Sequence, residues 1–291
     1  MKRLTLVALF AFACGAVPAQ AQALSLGYRT GDTYKYSFHS TTKQTMGAAG
    51  MTVPAEIEMS AAETVKVKSV DSSGVADLSI TLSKFSVQST TGGVSNTTTG
   101  IPDTTLDVNV AADGRVLSMN GQQFAGANPF MVFSGLGGGF FITAVLPTNA
   151  VLPTNAVKPG DTWSKDYDQA NPGGTGTVHI TSHSQYLRDE SVQGVKAAVV
   201  QTTSNGSMNM TLGIPATGAT TAGLGGFAIK GTITSNVTTW IDPSGHRVLK
   251  THSTETNDGT LTLDSSSSTA MPGLTGPITI KGTSTTDLTP A

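Results

Sequence analysis

The histidine residues are the first side chains in this chain that could bind a metal ion. His179 and His183 lie four residues apart, a spacing that on a helix would direct two imidazoles at one zinc ion. Both lie in a Thr/Ser-rich pattern typical of a strand, where four residues span about 13 Å and one ion could not contact both. His39, His246 and His252 belong to no H-E-x-x-H motif. The histidines therefore predict no metal site.

Carboxyl and hydroxyl side chains give no catalytic constellation either. Asp166, Asp168 and Asn171 resemble a calcium loop, but its glycine is misplaced and Thr177 stands where a bidentate Glu is needed. No G-x-S-x-G motif is present to activate a serine nucleophile. Residues 223–228 match a dinucleotide fingerprint in form only, because they lie among strands rather than in a βαβ unit. The sequence predicts no enzyme activity and no cofactor.

The first 23 residues predict where the protein works. A short basic head is followed by an apolar run over residues 4–13, which is too short to span a bilayer. Two overlapping Ala-x-Ala cleavage sites end at Ala21 and Ala23. This layout is typical of a bacterial secretory signal peptide. We expect a mature chain that starts near Leu24 and is exported to the periplasm or the extracellular space.

Charge and cysteine content exclude several classes of partner. Removal of Lys2 and Arg3 with the signal peptide leaves 15 basic and 19 acidic residues, a net charge of −4. Because no Lys/Arg cluster remains, nucleic acid is not an expected partner. The single cysteine, Cys14, lies in the signal peptide, and Phe12 is too large for a lipidation motif there. The mature chain therefore has no thiol for a disulfide or a metal.

Alternation of apolar and polar residues predicts an all-β, antiparallel fold with one buried face. One alternating run comprises Ala76, Leu78, Ile80 and Leu82. Phe85 and Val87 continue in the opposite phase, which predicts a β-bulge near Ser83-Lys84. A second run, from Ile229 to Ile241, leads into a turn at residues 242–245. At most one short helix is expected, between Gln122 and Phe133.

Two pairs of motifs suggest an internal duplication. Gly-Asp-Thr begins at Gly31 and again at Gly160, 129 residues later, and each time an aromatic residue follows. Later hairpins contain Arg115 and Arg247, which are 132 residues apart. Two features in the same order at nearly the same offset predict a repeated unit of about 130 residues. The predicted organisation is a signal peptide (1–23), a first β half (24–118), an uncharged linker (119–157) and a second β half (158–291).

The linker between the halves is the most apolar part of the mature chain. No charged residue occurs from Val116 to Val157, and residues 130–146 are rich in Phe and Gly. Three readings are open: a plug for the core, a mobile lid at a ligand mouth, or a membrane span. The span is disfavoured because four glycines weaken a helix and no Lys/Arg anchors flank it. The candidate ligand-binding residues are Phe130, Met131, Phe133, Leu136, Phe140 and Phe141, with Phe227 from a similar Gly-rich stretch.

The stretch from Val157 to Trp163 reads V-x-x-G-D-T-W and, with residues 31–36 (GDTYKY), resembles a group of uncharacterised secreted bacterial β-rich proteins. That group is distantly similar to the periplasmic lipoprotein-carrier fold of the LolA and LppX type. The resemblance implies a curved antiparallel sheet, half-barrel or sandwich-like, whose concave face holds acyl chains under helical plugs. In this chain only the Gly-rich linker stands in place of those helices. No catalytic residue is carried over.

These observations predict an exported, non-catalytic protein that binds a lipid or other hydrophobic ligand in the cell envelope, without a stable membrane span. The alternative is a structural or surface-interaction β protein with no small-molecule ligand. The oligomeric state is not predicted by the sequence.

Overall fold

The computed structural model describes residues 20–48, 51–121, 151–170, 174–213, 226–263 and 276–291. Within these residues all regular secondary structure is β-strand. The strands are β1 (Thr33–Ala48), β2 (Met51–Val70), β3 (Ala76–Thr91), β4 (Val94–Thr98), β5 (Thr104–Val110), β6 (Val116–Gly121), β7 (Thr162–Ala170), β8 (Gly174–Val192), β9 (Val195–Gly213), β10 (Gly226–Asp242), β11 (Arg247–Leu263) and β12 (Ile278–Pro290). The stretch proposed for a short helix lies outside the described residues.

All twelve strands belong to one antiparallel sheet. Its order is β6-β5-β3-β2-β1-β12-β11-β10-β9-β8-β7, and β4 adds to β3 beside this path. The all-β antiparallel fold predicted from the sequence is confirmed. The last strand lies between β1 and β11, so strands from both parts of the chain share one continuous sheet.

The predicted bulge in β3 is present. Ser60 lies opposite Ser86 while Ala62 lies opposite Ser83, so β3 carries one extra residue at this point. Lys84 adopts a positive φ of 53° there. The extra residue keeps Phe85 on the same buried face as the preceding alternating run, although the sequence phase changes.

The sheet curves until its inner face packs against itself. One apolar cluster contains buried side chains from distant strands, including Leu82 of β3, Val200 of β9 and Leu288 of β12. The Tyr36 hydroxyl of β1 also donates a hydrogen bond of 2.7 Å to the carbonyl oxygen of Val248 in β11, two strands away. We call the face that carries these residues the inward face.

Residues preceding β1 close one end of the curved sheet. Leu24, Leu26 and Tyr28 are buried in the apolar cluster. Their backbone is held on both sides, because Leu26 N–H donates to the carbonyl of Ala112 and Gly27 N–H donates to that of His246, each at 2.8 Å. We call this end, where β1 and β7 begin, the closed end.

The two edge strands meet at the closed end through side chains and loop backbone. Lys165 on β7 places its Nζ 3.3 Å from Oδ2 of Asp113, which lies just before β6. Leu152 N–H donates to the Asp113 carbonyl at 2.8 Å, and the Trp163 indole N–H donates to the carbonyl of Val151 at 2.7 Å. These contacts join the edges of the sheet and maintain its curvature at this end.

The two Gly-Asp-Thr motifs adopt the same turn. Gly31 and Gly160 have φ values of 93° and 96°, a region that glycine enters without strain. Gly31 N–H donates to the Val67 carbonyl at 2.9 Å, and Gly160 N–H donates to the Tyr186 carbonyl at 2.7 Å. In each case the next residue, an Asp, accepts the returning backbone hydrogen bond. The turns are alike, and duplication of the whole unit stays a prediction.

Truncation of a side chain in the apolar cluster should destabilise the fold strongly. Leu78 is 0% exposed, so Leu78→Ala is expected to lower the free energy of unfolding by about 2–5 kcal/mol. Leu117 is 43% exposed, and Leu117→Ala should change it by less than about 0.5 kcal/mol. Urea unfolding followed by circular dichroism measures both values. Equal losses in the two variants would contradict the described inward face.

Candidate functional site on the inward face

The strand register places the inward side chains in rows across the sheet. Residues directly opposite each other on paired strands form neighbouring positions on one face, so a row can be followed from strand to strand. Two successive rows beyond the apolar cluster are rich in hydroxyl groups. The row nearer the closed end, the inner row, runs Ser184, Thr202, Val237, Ser253, Thr286 and Ser40. The next, the outer row, runs Ser182, Ser204, Ser235, Glu255, Ser284 and Thr42.

The inner row satisfies much of its own hydrogen bonding. The hydroxyls of Ser40 and Thr286 are 2.9 Å apart, and those of Ser184 and Thr202 are also 2.9 Å apart. All four side chains are buried. A buried hydroxyl that forms a hydrogen bond avoids most of its desolvation cost, so this row can be tolerated inside the fold.

The outer row differs from the inner row in its hydrogen bonding. Glu255 lies between Ser235 on β10 and Ser284 on β12, and all three side chains are partly exposed. Within the described part of the chain, none of the three side chains has a hydrogen-bond partner, and the same holds for Ser204. Desolvation by the surrounding protein raises the pKa of Glu255 to about 8. These groups can therefore donate and accept hydrogen bonds with water or with a ligand.

The row that follows the outer row contains Ile233, Asn257, Gly282 and Gln44 and is therefore still partly polar. Past that row the inward face becomes apolar again. Leu261 of β11 pairs with Ile278 of β12, and both side chains are buried, as is Ile280. On the other side of β1, Ile57 lies opposite Thr42 of the outer row and is also buried. The partly exposed polar groups therefore lie within a polar band of the inward face, and apolar regions lie on both sides of that band.

A second carboxyl group lies in the closed end. Glu63 on β2 is 1% exposed, and neither of its carboxyl oxygens has a hydrogen-bond partner among the described residues. Burial raises the pKa of Glu63 well above its usual range, because desolvation disfavours the charged form. The Tyr28 hydroxyl lacks a hydrogen-bond partner as well in this part of the structure.

Most of the sequence-predicted ligand residues are not tested by the structure. Phe130, Met131, Phe133, Leu136, Phe140 and Phe141 lie outside the described residues. Phe227 lies on β10, where its backbone pairs with Leu212 and Leu263. These seven residues remain a prediction from the sequence.

The histidines of β8 lie on exposed positions, as the strand alternation predicts. His179 contacts Asp168 at 2.9 Å and Asp166 at 3.1 Å, and these partners raise its pKa, with the Asp168 hydrogen bond as the largest cause. His183 Nδ1 lies 2.7 Å from the Ser164 hydroxyl. No cluster of metal-ligating side chains occurs among the residues that the structure describes. Nor do these residues include a helix long and apolar enough to cross a membrane.

The sequence did not single out the outer row as a site. From Thr251 to Asp258 both faces of β11 carry polar residues, so alternation could not indicate which of them face inward. The available signal was Glu255 itself, an acidic residue in phase with Leu261 at the apolar end of the same strand. Strand pairing with β12 was needed to place it opposite Ser284.

Comparison with known proteins finds likeness among solved structures. No family model matches the sequence, and no curated protein matches it. A solved structure of lipovitellin, described by its lipid–protein interactions, matches with a TM-score of 0.47 and 10% identity over 91% of this chain. The chain spans about a quarter of that lipovitellin chain, 26% of its length.

Stability should fall as the pH rises, because of the two inward carboxyl groups. A carboxyl whose pKa is higher in the folded chain stabilises the fold at low pH, and this contribution is lost as the pH rises towards the folded pKa. The free energy of unfolding should therefore decrease from pH 5 to pH 9, by at most about 1.4 kcal/mol per pH unit for each group. Glu63→Gln should reduce this decrease, and Glu63→Gln with Glu255→Gln should reduce it further. Urea unfolding at pH 5, 7 and 9 measures the free energy of unfolding of each protein and therefore its decrease with pH.

The control for this prediction is Glu56→Gln. Glu56 is exposed on the opposite face, where its carboxyl lies 3.4 Å from Lys43 Nζ. This variant should keep the pH dependence of the wild type. A decrease that is the same in all four proteins would contradict neutral burial of Glu63 and Glu255.

Proposed function

We propose that this protein is an exported, non-catalytic binding protein that holds a lipid or other hydrophobic molecule on the inward face of its curved sheet. The observation that carries the proposal is the pattern on that face. Buried apolar side chains lie on both sides of a polar band that includes the partly exposed groups of the outer row. Binding sites for small molecules combine an apolar lining with a few polar groups that orient the ligand.

The residues around the inward carboxyls support binding rather than catalysis. Glu63 and Glu255 have no hydrogen bond to a histidine in the described part of the chain. The histidines that contact carboxylates, such as His179 and His252, lie on exposed positions of the face opposite the inward face. A nucleophile with a neighbouring base is the usual requirement for hydrolysis. The Ser164–His183 pair, 2.7 Å apart, lies on exposed positions of the opposite face and not beside the inward carboxyls.

Export is supported by the signal-peptide pattern, and the residues that follow it bear on the cleavage site. Gln22 N–H donates to the Val157 carbonyl at 2.8 Å, and Val157 N–H returns a bond to the Gln22 carbonyl at 2.9 Å. Cleavage after Ala21 retains this pair, whereas cleavage after Ala23 removes it. We therefore favour Ala21 over Ala23 as the cleavage site.

This choice of cleavage site predicts the mass of the mature protein. Intact mass spectrometry of the protein from a periplasmic extract should give a chain that begins at Gln22. A chain that begins at Leu24 would contradict the structural role of Gln22 but leave export standing. A full-length chain confined to the cytoplasm would contradict export.

A bulky side chain on the outer row should block ligand binding. Ser235 lies on the inward face of β10, so Ser235→Phe is expected to reduce co-purifying ligand at least tenfold by occupying the space beside Glu255. Thr232 is exposed on the other face of the same strand, and Thr232→Phe should keep the bound ligand. Native mass spectrometry of detergent-free protein, with organic extraction, measures the bound mass.

A structural or surface-interaction protein is the second candidate. This second candidate is favoured by the inner row, where the paired hydroxyls are hydrogen-bonded to each other rather than to a ligand. If this hypothesis holds, the wild type, Ser235→Phe and Thr232→Phe all give the mass of the ligand-free protein, and that mass stays unchanged after incubation with envelope lipids. That result would replace the binding proposal.

A further inference from the structure

We infer that the outer row is a head-group site and that it takes a primary ammonium group, with the carboxylate of Glu255 as its anionic partner and Ser235 and Ser284 as hydroxyl partners. This inference rests on the proposed function, because it names the polar end of a ligand whose apolar part would lie along the rest of the inward face.

The first argument is the contrast between the two polar rows. Inner-row hydroxyls such as those of Ser40 and Thr286 are bonded to each other at 2.9 Å. Glu255, Ser235 and Ser284 have no such partners among the described residues, although they lie side by side on three neighbouring strands. A carboxyl group in a desolvated position without a partner is costly, and a ligand that supplies donors would remove that cost.

The second argument is the match of donors and acceptors. An ammonium group has three hydrogen-bond donors and no acceptor. A carboxylate flanked by two serine hydroxyls offers acceptors on three sides of such a group. Above about pH 8, where Glu255 is ionised, a carboxylate or phosphate head would be repelled by it and would find no donor there. The shared chemistry therefore favours an amine-bearing amphiphile over an anionic or a purely apolar one.

The third argument is the absence of a competing cation within the described chain. β10 and β12, the strands paired with β11, present Ser235 and Ser284 on this row and no charged inward side chain beside Glu255. Lys165 extends the row on β7, but its Nζ contacts Asp113 at 3.3 Å. Glu63 lies towards the closed end.

The binding of an ammonium group should depend on pH. Desolvation holds the pKa of Glu255 at about 8 in the free protein, so its carboxyl is largely neutral below that value. The ligand pairs with the ionised form, and its binding therefore releases a proton below about pH 8. An alkylammonium, with a pKa near that of lysine at about 10.4, stays charged over the same range. The other titratable groups that the described chain places on or against the inward face lie elsewhere, and none of them is opposite Glu255 on β10 or β12. They are Tyr28, Tyr34, Tyr36, Glu63, Lys165, Tyr167 and Tyr186.

The test uses three probes of one chain length: dodecylamine, dodecanol and dodecanoate. Each is titrated into the mature protein below its micelle concentration, at pH 6 and pH 9, with displacement of a fluorescent fatty-acyl probe as the readout. At pH 9 dodecylamine should bind about tenfold or more tightly than dodecanol, because a hydrogen bond to a charged group is stronger than one between neutral groups. At pH 6 the preference for dodecylamine should be smaller, while dodecanol should bind with the same affinity at pH 6 and pH 9.

Glu255→Gln should remove the preference for dodecylamine and its pH dependence, and leave dodecanol binding unchanged. Glu56→Gln is the same change on the exposed face opposite the inward face, and this variant should behave as the wild type. Ser284→Ala should lower the preference severalfold and is the second variant if Glu255→Gln does not fold. Circular dichroism verifies the fold of each.

The outcomes separate this inference from the proposed function. If dodecanol binds but dodecylamine binds no more tightly, or if the preference survives in both Glu255→Gln and Ser284→Ala, the ammonium site is overturned and hydrophobic binding stands. If no probe binds to the wild type, both proposals are overturned.

Discussion

A single sheet that must bury one of its own faces is the constraint on which this structure depends. In the described residues there is no second layer to cover the apolar side chains of β2, β3 and β5. The sheet therefore curves until residues as distant as Leu82 and Leu288 share one cluster. Leu24, Leu26 and Tyr28 complete that cluster at the closed end, where Asp113 links the two edges. Curvature, closure of one end and the inward rows all follow from this requirement.

The same curvature brings polar side chains into the interior, and the two polar rows differ in how their polar groups are accommodated. Long strands carry Ser and Thr into the interior, and a buried hydroxyl without a partner is destabilising. In the inner row, opposing hydroxyls such as Ser184 and Thr202 bond to each other. In the outer row, Glu255 and its neighbours keep some exposure instead. Glu63 is a third case, because its carboxyl is buried in the closed end and burial raises its pKa well above the usual range.

Much of the strand pattern could be predicted from the residues, because alternation reports directly on a face that is buried on one side only. The runs through Ile80 and through Val237 show this alternation, and the change of phase after Leu82 located the bulge at Lys84. The candidate site could not be found in this way. β11 is polar on both faces around Glu255, so a period of two carries no information there about which side faces inward.

By itself the sequence determined the all-β antiparallel class, the bulge in β3 and the exposed positions of the histidines of β8. Each of these depends on residues that are close together in the chain. Only the tertiary structure decided that the last strand pairs with the first, that Asp113 contacts Lys165, and that Glu255 lies between Ser235 and Ser284. These contacts join residues far apart in the chain, and their register is set by the closure of one sheet upon itself rather than by any local pattern.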